Sequence, residues 1–186
     1  LENDPEDYQL EQTQFDLRMA LLQFFQSRHM WTRALALNNQ LLKMFEDPPY
    51  NLSFNKAELL AETNQYEQAS EIIDELAEKV SDKERINLAR ANLLCEEGKE
   101  IEALELFESF DKGSRFYRQV LHRKADVKLT LGRIEECHAD LLELLDSNIM
   151  VAVQLINSKN YKPDTAIVEK LKLIARNPFT PELQRE

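Results

Sequence analysis

The stretch LLAETNQYEQASEII, residues 59–73, sets two apolar stripes on either side of Thr63, Asn64 and Gln65, and then places a single small residue, Ala69, among larger ones. A polar break between helix-forming stripes predicts two helices joined by a tight turn. Shifted forward by 34 residues, Ala57 lands on Ala91, Asn64 on Gly98 and Ala69 on Ala103. A second shift reaches Ala125, Gly132 and Cys137. The large positions keep the same register, Leu60 meeting Leu94, and Ile73 meeting Phe107 and then Leu141. A period of this length, held twice, is that of helical hairpins that bury their apolar faces only against neighbours.

Each repeated position has a physical role. Asn64, Gly98 and Gly132 stand where the first helix of a pair must end in a left-handed residue, which glycine adopts freely and asparagine tolerates. Ala57, Ala91 and Ala125 on the first helices, and Ala69, Ala103 and Cys137 on the second, are small where two helices press closest. A divergent earlier copy is visible in WTRALALNNQLL, where Trp31 takes the place of Tyr66 and Ala34 that of Ala69, 35 residues back. Pro48 and Pro49 end its second helix. Past about residue 147 the register is lost. IMVAVQLI is an apolar stripe, NSKNYKP a loop, and DTAIVEKLKLIA a further helix with Asp164 as its N-cap.

Composition agrees. Apolar residues make up 43% of the 186, enough for a continuous core, and only three glycines and six prolines interrupt sequence rich in Leu, Ala, Glu and Lys. Cys95 and Cys137 fall inside apolar stripes without metal-ligand spacing, and read as small core residues. The net charge of -11 is unevenly shared, with 10 Lys+Arg against 24 Asp+Glu in residues 1–111 and 13 against 10 in residues 112–186. Such an acidic chain weighs against general nucleic-acid binding, although a local basic surface in the second part stays open. No run is long and apolar enough for a membrane span, and the acidic start has the wrong sign for a secretion signal, which points to a soluble, cytoplasmic protein. The leading residue, leucine instead of methionine, points to a processed chain or a piece of a longer one.

The pattern resembles that of the tetratricopeptide repeat family. A small residue at repeat position 8, glycine at 15, an aromatic near 17, alanine at 20 and a large residue at 24 appear as Ala57, Asn64, Tyr66, Ala69 and Ile73. The next copy gives Ala91, Gly98, Glu100, Ala103 and Phe107, and the one after it Ala125, Gly132, Ile134, Cys137 and Leu141. At position 27, where the family has alanine, stand Leu76, Phe110 and Leu144. The resemblance implies an all-α, right-handed solenoid of helix hairpins. It divides the chain into an acidic lead-in (1–14), four repeats (15–49, 50–83, 84–117, 118–146) and a divergent C-terminal hairpin or cap (147–186).

The resemblance also implies a concave groove lined by the first helices, which would bind an extended peptide or protein segment, as in an adaptor or scaffold. Its candidate residues are Asn51, Phe54, Asn55 and Glu58 in one copy, Arg85, Leu88 and Asn92 in the next, and Gln119, His122, Arg123 and Asp126 in the last. Amides interleaved with apolar and charged residues suit an extended backbone; an ordinary solvated helix face is the alternative. A family subtype that grips the carboxylates of chaperone tails needs five matched residues. Asn55 and Arg85 fit two of them, whereas Met19, Gln23 and Ala89 do not fit the others, so that mode is not expected.

A second surface, KGSRFYRQVLHRKADVK at 112–128, gathers Lys112, Arg115, Arg118, Arg123, Lys124 and Lys128 around Phe116 and Tyr117. Basic residues beside aromatics suit RNA or an acidic segment, including the acidic half of another copy of the chain. No phosphate-cradling, metalloprotease or nucleophile-elbow motif occurs, and His29, His122 and His138 share no ligand spacing, so neither a cofactor nor a metal is expected. His138 follows Cys137, but neighbouring helix residues point about 100° apart and do not face one site. The expectation is a non-enzyme; the alternative is the regulatory array of a longer, catalytic chain.

Overall fold

A computed structural model describes residues 5–158 and 162–176, with side chains described from Gln12 to Asn157 and from Lys162 to Arg176. Every regular element among the described residues is an α-helix. The order is α1 (Pro5–Ser27), α2 (Trp31–Leu42), α3 (Tyr50–Glu62), α4 (Tyr66–Lys79), α5 (Lys83–Glu96), α6 (Glu100–Glu108), α7 (Tyr117–Thr130), α8 (Ile134–Ser147), α9 (Ile149–Ser158) and α10 (Thr165–Arg176). Helix α1 begins at Pro5, inside the stretch read as a lead-in. Proline is tolerated in a first turn. Of NSKNYKP, expected as a loop, Asn157 and Ser158 belong to α9 and residues 159–161 lie outside the described residues.

Four tight turns share one geometry. His29, Asn64, Gly98 and Gly132 all have positive φ, at 54°, 60°, 74° and 71°. The next residue's N–H reaches back five positions in three of them, Met30 to Phe25, Gln65 to Leu60 and Arg133 to Lys128, at 2.8–2.9 Å. The left-handed residue itself donates three positions back, His29 to Gln26, Asn64 to Ala61, Gly98 to Cys95 and Gly132 to Leu129. This pair of bonds satisfies carbonyls that the helix end would leave bare. Asn64 takes the left-handed conformation and accepts a hydrogen bond from the Tyr66 hydroxyl at 2.6 Å. His29 was not singled out in the sequence, although the 35-residue shift from Asn64 lands on it.

The chain divides into two compact units, Leu1–Gly98 and Lys99–Glu186. In the first, α1 packs on α2, α2 on α3, α3 on α4 and α5 on both α3 and α4. Leu22, Ala34, Leu41 and Leu59 form one core cluster, and Ala57, Ala69, Ile73 and Leu76 belong to the next. In the second unit α7 pairs with α8, and α9 and α10 cover α8. Its core holds Leu121, Ala125, Cys137, Leu141 and Ile167. The repeated small residues are all buried, with Ala34, Ala69, Ala91, Ala103, Ala125 and Cys137 at 0% exposure. In the α7/α8 pair the closeness is explicit, because Cys137 Sγ lies 3.4 Å from the Ala125 carbonyl oxygen. Helix α10 starts where Asp164 Oδ1 accepts from the Ile167 N–H at 2.9 Å.

Candidate functional site

Two polar faces stand out, one in each unit. The first lies on α3 and α5. Asn51 and Arg85 hold equivalent places in successive copies, and their side chains meet, Arg85 Nη1 donating to Asn51 Oδ1 at 2.7 Å. The guanidinium lies 4.2 Å from the centroid of the Phe54 ring, a cation–π contact that fixes its plane. Backbone supports it too, since the Arg85 N–H is capped by Asp82 Oδ1 at 3.2 Å. Only one of the guanidinium's five N–H groups is used on Asn51, and the residue remains half-exposed.

Asn55 is positioned differently from an open ladder. Its Oδ1 accepts from Gln26 Nε2 at 2.7 Å, and its Nδ2 donates to Asn38 Oδ1 at 3.1 Å. Asn38, fully buried, in turn donates to the Leu52 carbonyl at 3.0 Å. The result is a chain of neutral amides from α1 through α3 to α2. Gln26 and Asn38 were missed in the sequence; a polar residue on the buried stripe of α2 was the available signal. Two turns beyond Arg85 along α5, Asn92 is buried and no hydrogen-bond partner among the described residues reaches its Oδ1. A buried amide oxygen without a donor is costly unless something supplies one.

The remaining residues of the expected groove separate by burial. Phe54 and Leu88 are core residues, 5% and 6% exposed, so they stiffen the wall and offer no pocket. Glu58 and Gln119 are exposed, and Arg123 and Asp126 are half-buried and engaged with neighbours. Burial holds His122 below the ordinary imidazole range, with Arg123 adding to the effect and Asp126 opposing it, so it is neutral at pH 7.

The second face, the basic surface of residues 112–128, is largely paired within its own unit. Lys128 is not on the surface: its side chain is 9% exposed and its ammonium lies 2.7 Å from Asp140 Oδ2, also 9% exposed. Lys124 reaches Asp140 Oδ1 at 3.1 Å. Lys112 pairs with Glu143 at 2.9 Å, and the Tyr117 hydroxyl donates to the same carboxylate at 3.0 Å. The hydrogen bond from Lys112 holds the Glu143 carboxyl below its ordinary range, and the same pair raises Lys112. Arg115 stacks on Phe116 at 4.6 Å, while Arg118 is exposed. Asp140 and Glu143, the acids that take up these lysines, lie one helix away at about the same height and were not paired with them in the sequence.

The Cys137 thiol is pushed up to about 12, chiefly by burial, so it is a poor nucleophile. His138 contacts Asp164 at 3.3 Å, away from the Ala125 carbonyl that Cys137 faces. No group of three or more His, Cys, Asp and Glu among the described residues is arranged for a metal ion, and no helix among them is long and apolar enough to cross a membrane. Comparison with protein-family models, with curated proteins and with solved structures found no match.

Proposed function

We propose that the chain is a tetratricopeptide-like array and works as a non-catalytic adaptor, binding an extended protein segment along the face of α3 and α5. The observation that carries this reading is the pre-set Arg85 guanidinium, hydrogen-bonded to Asn51 and stacked on Phe54 with donors left over. Spare donors held in place at the surface are what the carbonyls of an extended backbone require. Holding Arg85 flat on Phe54 before binding also lowers the ordering cost on association.

The basic 112–128 surface supports RNA less well. Lys112, Lys124 and Lys128 already neutralise Glu143 and Asp140. A polyanion would have to compete with those acids for each lysine. Affinity capture with quantitative mass spectrometry separates the two readings. A protein retained by the wild-type chain and by Arg118→Glu/Arg123→Glu, but lost with Asn51→Ala/Arg85→Ala, supports the α3/α5 face. Nuclease-sensitive retention lost only with the Arg118/Arg123 changes supports RNA instead.

A further inference from the structure

The first unit holds 9 Lys+Arg against 19 Asp+Glu, and three of those cations, Lys79, Lys83 and Arg90, border one cleft of about 500 Å³ between the end of α4 and α5. Lys83, Asn87 and Arg90 stand four and three residues apart, which puts them on one side of α5. Arg85, two residues from Lys83 and from Asn87, lies about 200° round the helix from both, so the cleft is separate from the α3/α5 face. Lys79 comes to the cleft from the last turn of α4, and half-buried Val80 with buried Ile86 gives it an apolar floor. Unlike the lysines of the second unit, Lys79 and Lys83 are exposed and meet no acid within ion-pair distance among the described residues. Arg90 gives Nη2 to Asp74 Oδ1 at 2.8 Å, which holds it against α4 and leaves the rest of its five N–H groups for a ligand.

We infer that this cleft takes a phosphate monoester carried on a serine or threonine of a partner segment, with basic residues beside it. Two ammoniums and a guanidinium around one hollow suit a compact dianion whose three terminal oxygens accept from several donors at once. The Ser81 hydroxyl and the Asn87 amide, in the same lining, add neutral donors. The surrounding charge excludes a longer anion. The cations of the cleft act over about 8 Å at physiological salt, and past that range acids outnumber bases in this unit. A strand of RNA or a run of acids would gain from one of its charges and carry the others over an acidic surface. The acids of α4 add a preference for cations next to the phosphate. Asp74 and Glu78 stand one turn apart, Asp74 on Arg90 and Glu78 in the lining of the cleft. The inference uses a different side of α5 from the adaptor reading and does not depend on it.

Fluorescence anisotropy of the whole chain with short labelled peptides tests this. The probes carry arginines on both sides of a phosphoserine, of a serine or of a glutamate. The phosphoserine peptide should bind about tenfold more tightly than the serine peptide, the worth of one net charge-assisted hydrogen bond. Lys79→Ala/Lys83→Ala should bring the two to the same affinity with unchanged helical circular dichroism, because both lysines are exposed. Asn51→Ala/Arg85→Ala should leave the ratio as it is, which separates a failure here from a failure of the α3/α5 reading. Exchanging the arginines of the phosphoserine peptide for glutamates should weaken it about threefold. Equal binding of the phosphoserine and serine peptides overturns the inference. A ratio that survives Lys79→Ala/Lys83→Ala also overturns it, by placing the phosphate on another surface. A glutamate peptide that binds as well as the phosphoserine peptide, or flanking glutamates that tighten binding, overturns it in favour of an acidic segment.

Discussion

The two units solve one problem with different chemistry. Both join helices through buried polar groups, but the first does so with neutral amides, Gln26 to Asn55 to Asn38 to the Leu52 carbonyl, and the second with ions, Lys128 and Lys124 on Asp140. Amides satisfy one another at little desolvation cost and respond little to pH or salt. Buried ions are strongly interdependent: the pair adds little over an apolar core, yet either member alone is heavily penalised. In the first unit the exposed guanidinium of Arg85 is held by a neutral amide and an aromatic ring, whereas in the second Lys124 and Lys128 are held by a carboxylate.

The largest break in this comparison comes from Asp140→Ala, which strands Lys128 in the interior. We expect a loss of about 3–5 kcal/mol in denaturant unfolding of the second unit. Lys128→Met with Asp140→Leu should recover most of it, since the pair as a whole is worth little. Thiol labelling follows the same event. Cys137, fully buried with its thiol pushed up to about 12, should react only when the second unit opens, so Asp140→Ala should accelerate its labelling while that of half-buried Cys95 stays constant.

In the first unit, Asn38→Ala removes the donor from the buried Leu52 carbonyl and the partner of Asn55. The expected cost, read in the same melts, is about 2 kcal/mol and independent of pH. Turns give a smaller contrast. Gly132→Ala should cost about 1 kcal/mol from its φ of 71° alone, as an added Cβ meets nothing within 4 Å. Asn64 already sits at φ 60° with a side chain, so Asn64→Gly should change stability by only a few tenths of a kcal/mol.

The smallest effect is the dependence on pH. Glu143 has a depressed folded value, so it binds fewer protons in the folded state than in the unfolded one. Its contribution is complete above the ordinary carboxylate range and fades as pH falls through the folded value. Lys112 is 75% exposed, so solvent screens the pair and the contribution is slight. Glu143→Gln should flatten the acid side of the stability profile; a steeper profile would contradict the assignment.

The helical hairpins and their turns were legible because they depend on local rules. A left-handed residue and a small residue recur at fixed spacing, and the structure gives positive φ at Asn64, Gly98 and Gly132 and burial at Ala57, Ala69 and Ala125. The surface was far less legible. Whether a lysine is available depends on which acid the next helix brings beside it, and Lys128 lost its place on the basic surface to Asp140, twelve residues on. In the same way Phe54 and Leu88 belong to the core because α3 and α5 turn them inward, which repeat spacing alone does not resolve.

The most direct test of the adaptor reading is hydrogen–deuterium exchange of the chain with and without its captured partner. Binding along the first unit's polar row predicts slowed exchange confined to residues 50–62 and 83–96, and loss of that protection in Asn51→Ala/Arg85→Ala. Protection that appears instead over 112–128, or over no part of α3 and α5, would contradict it.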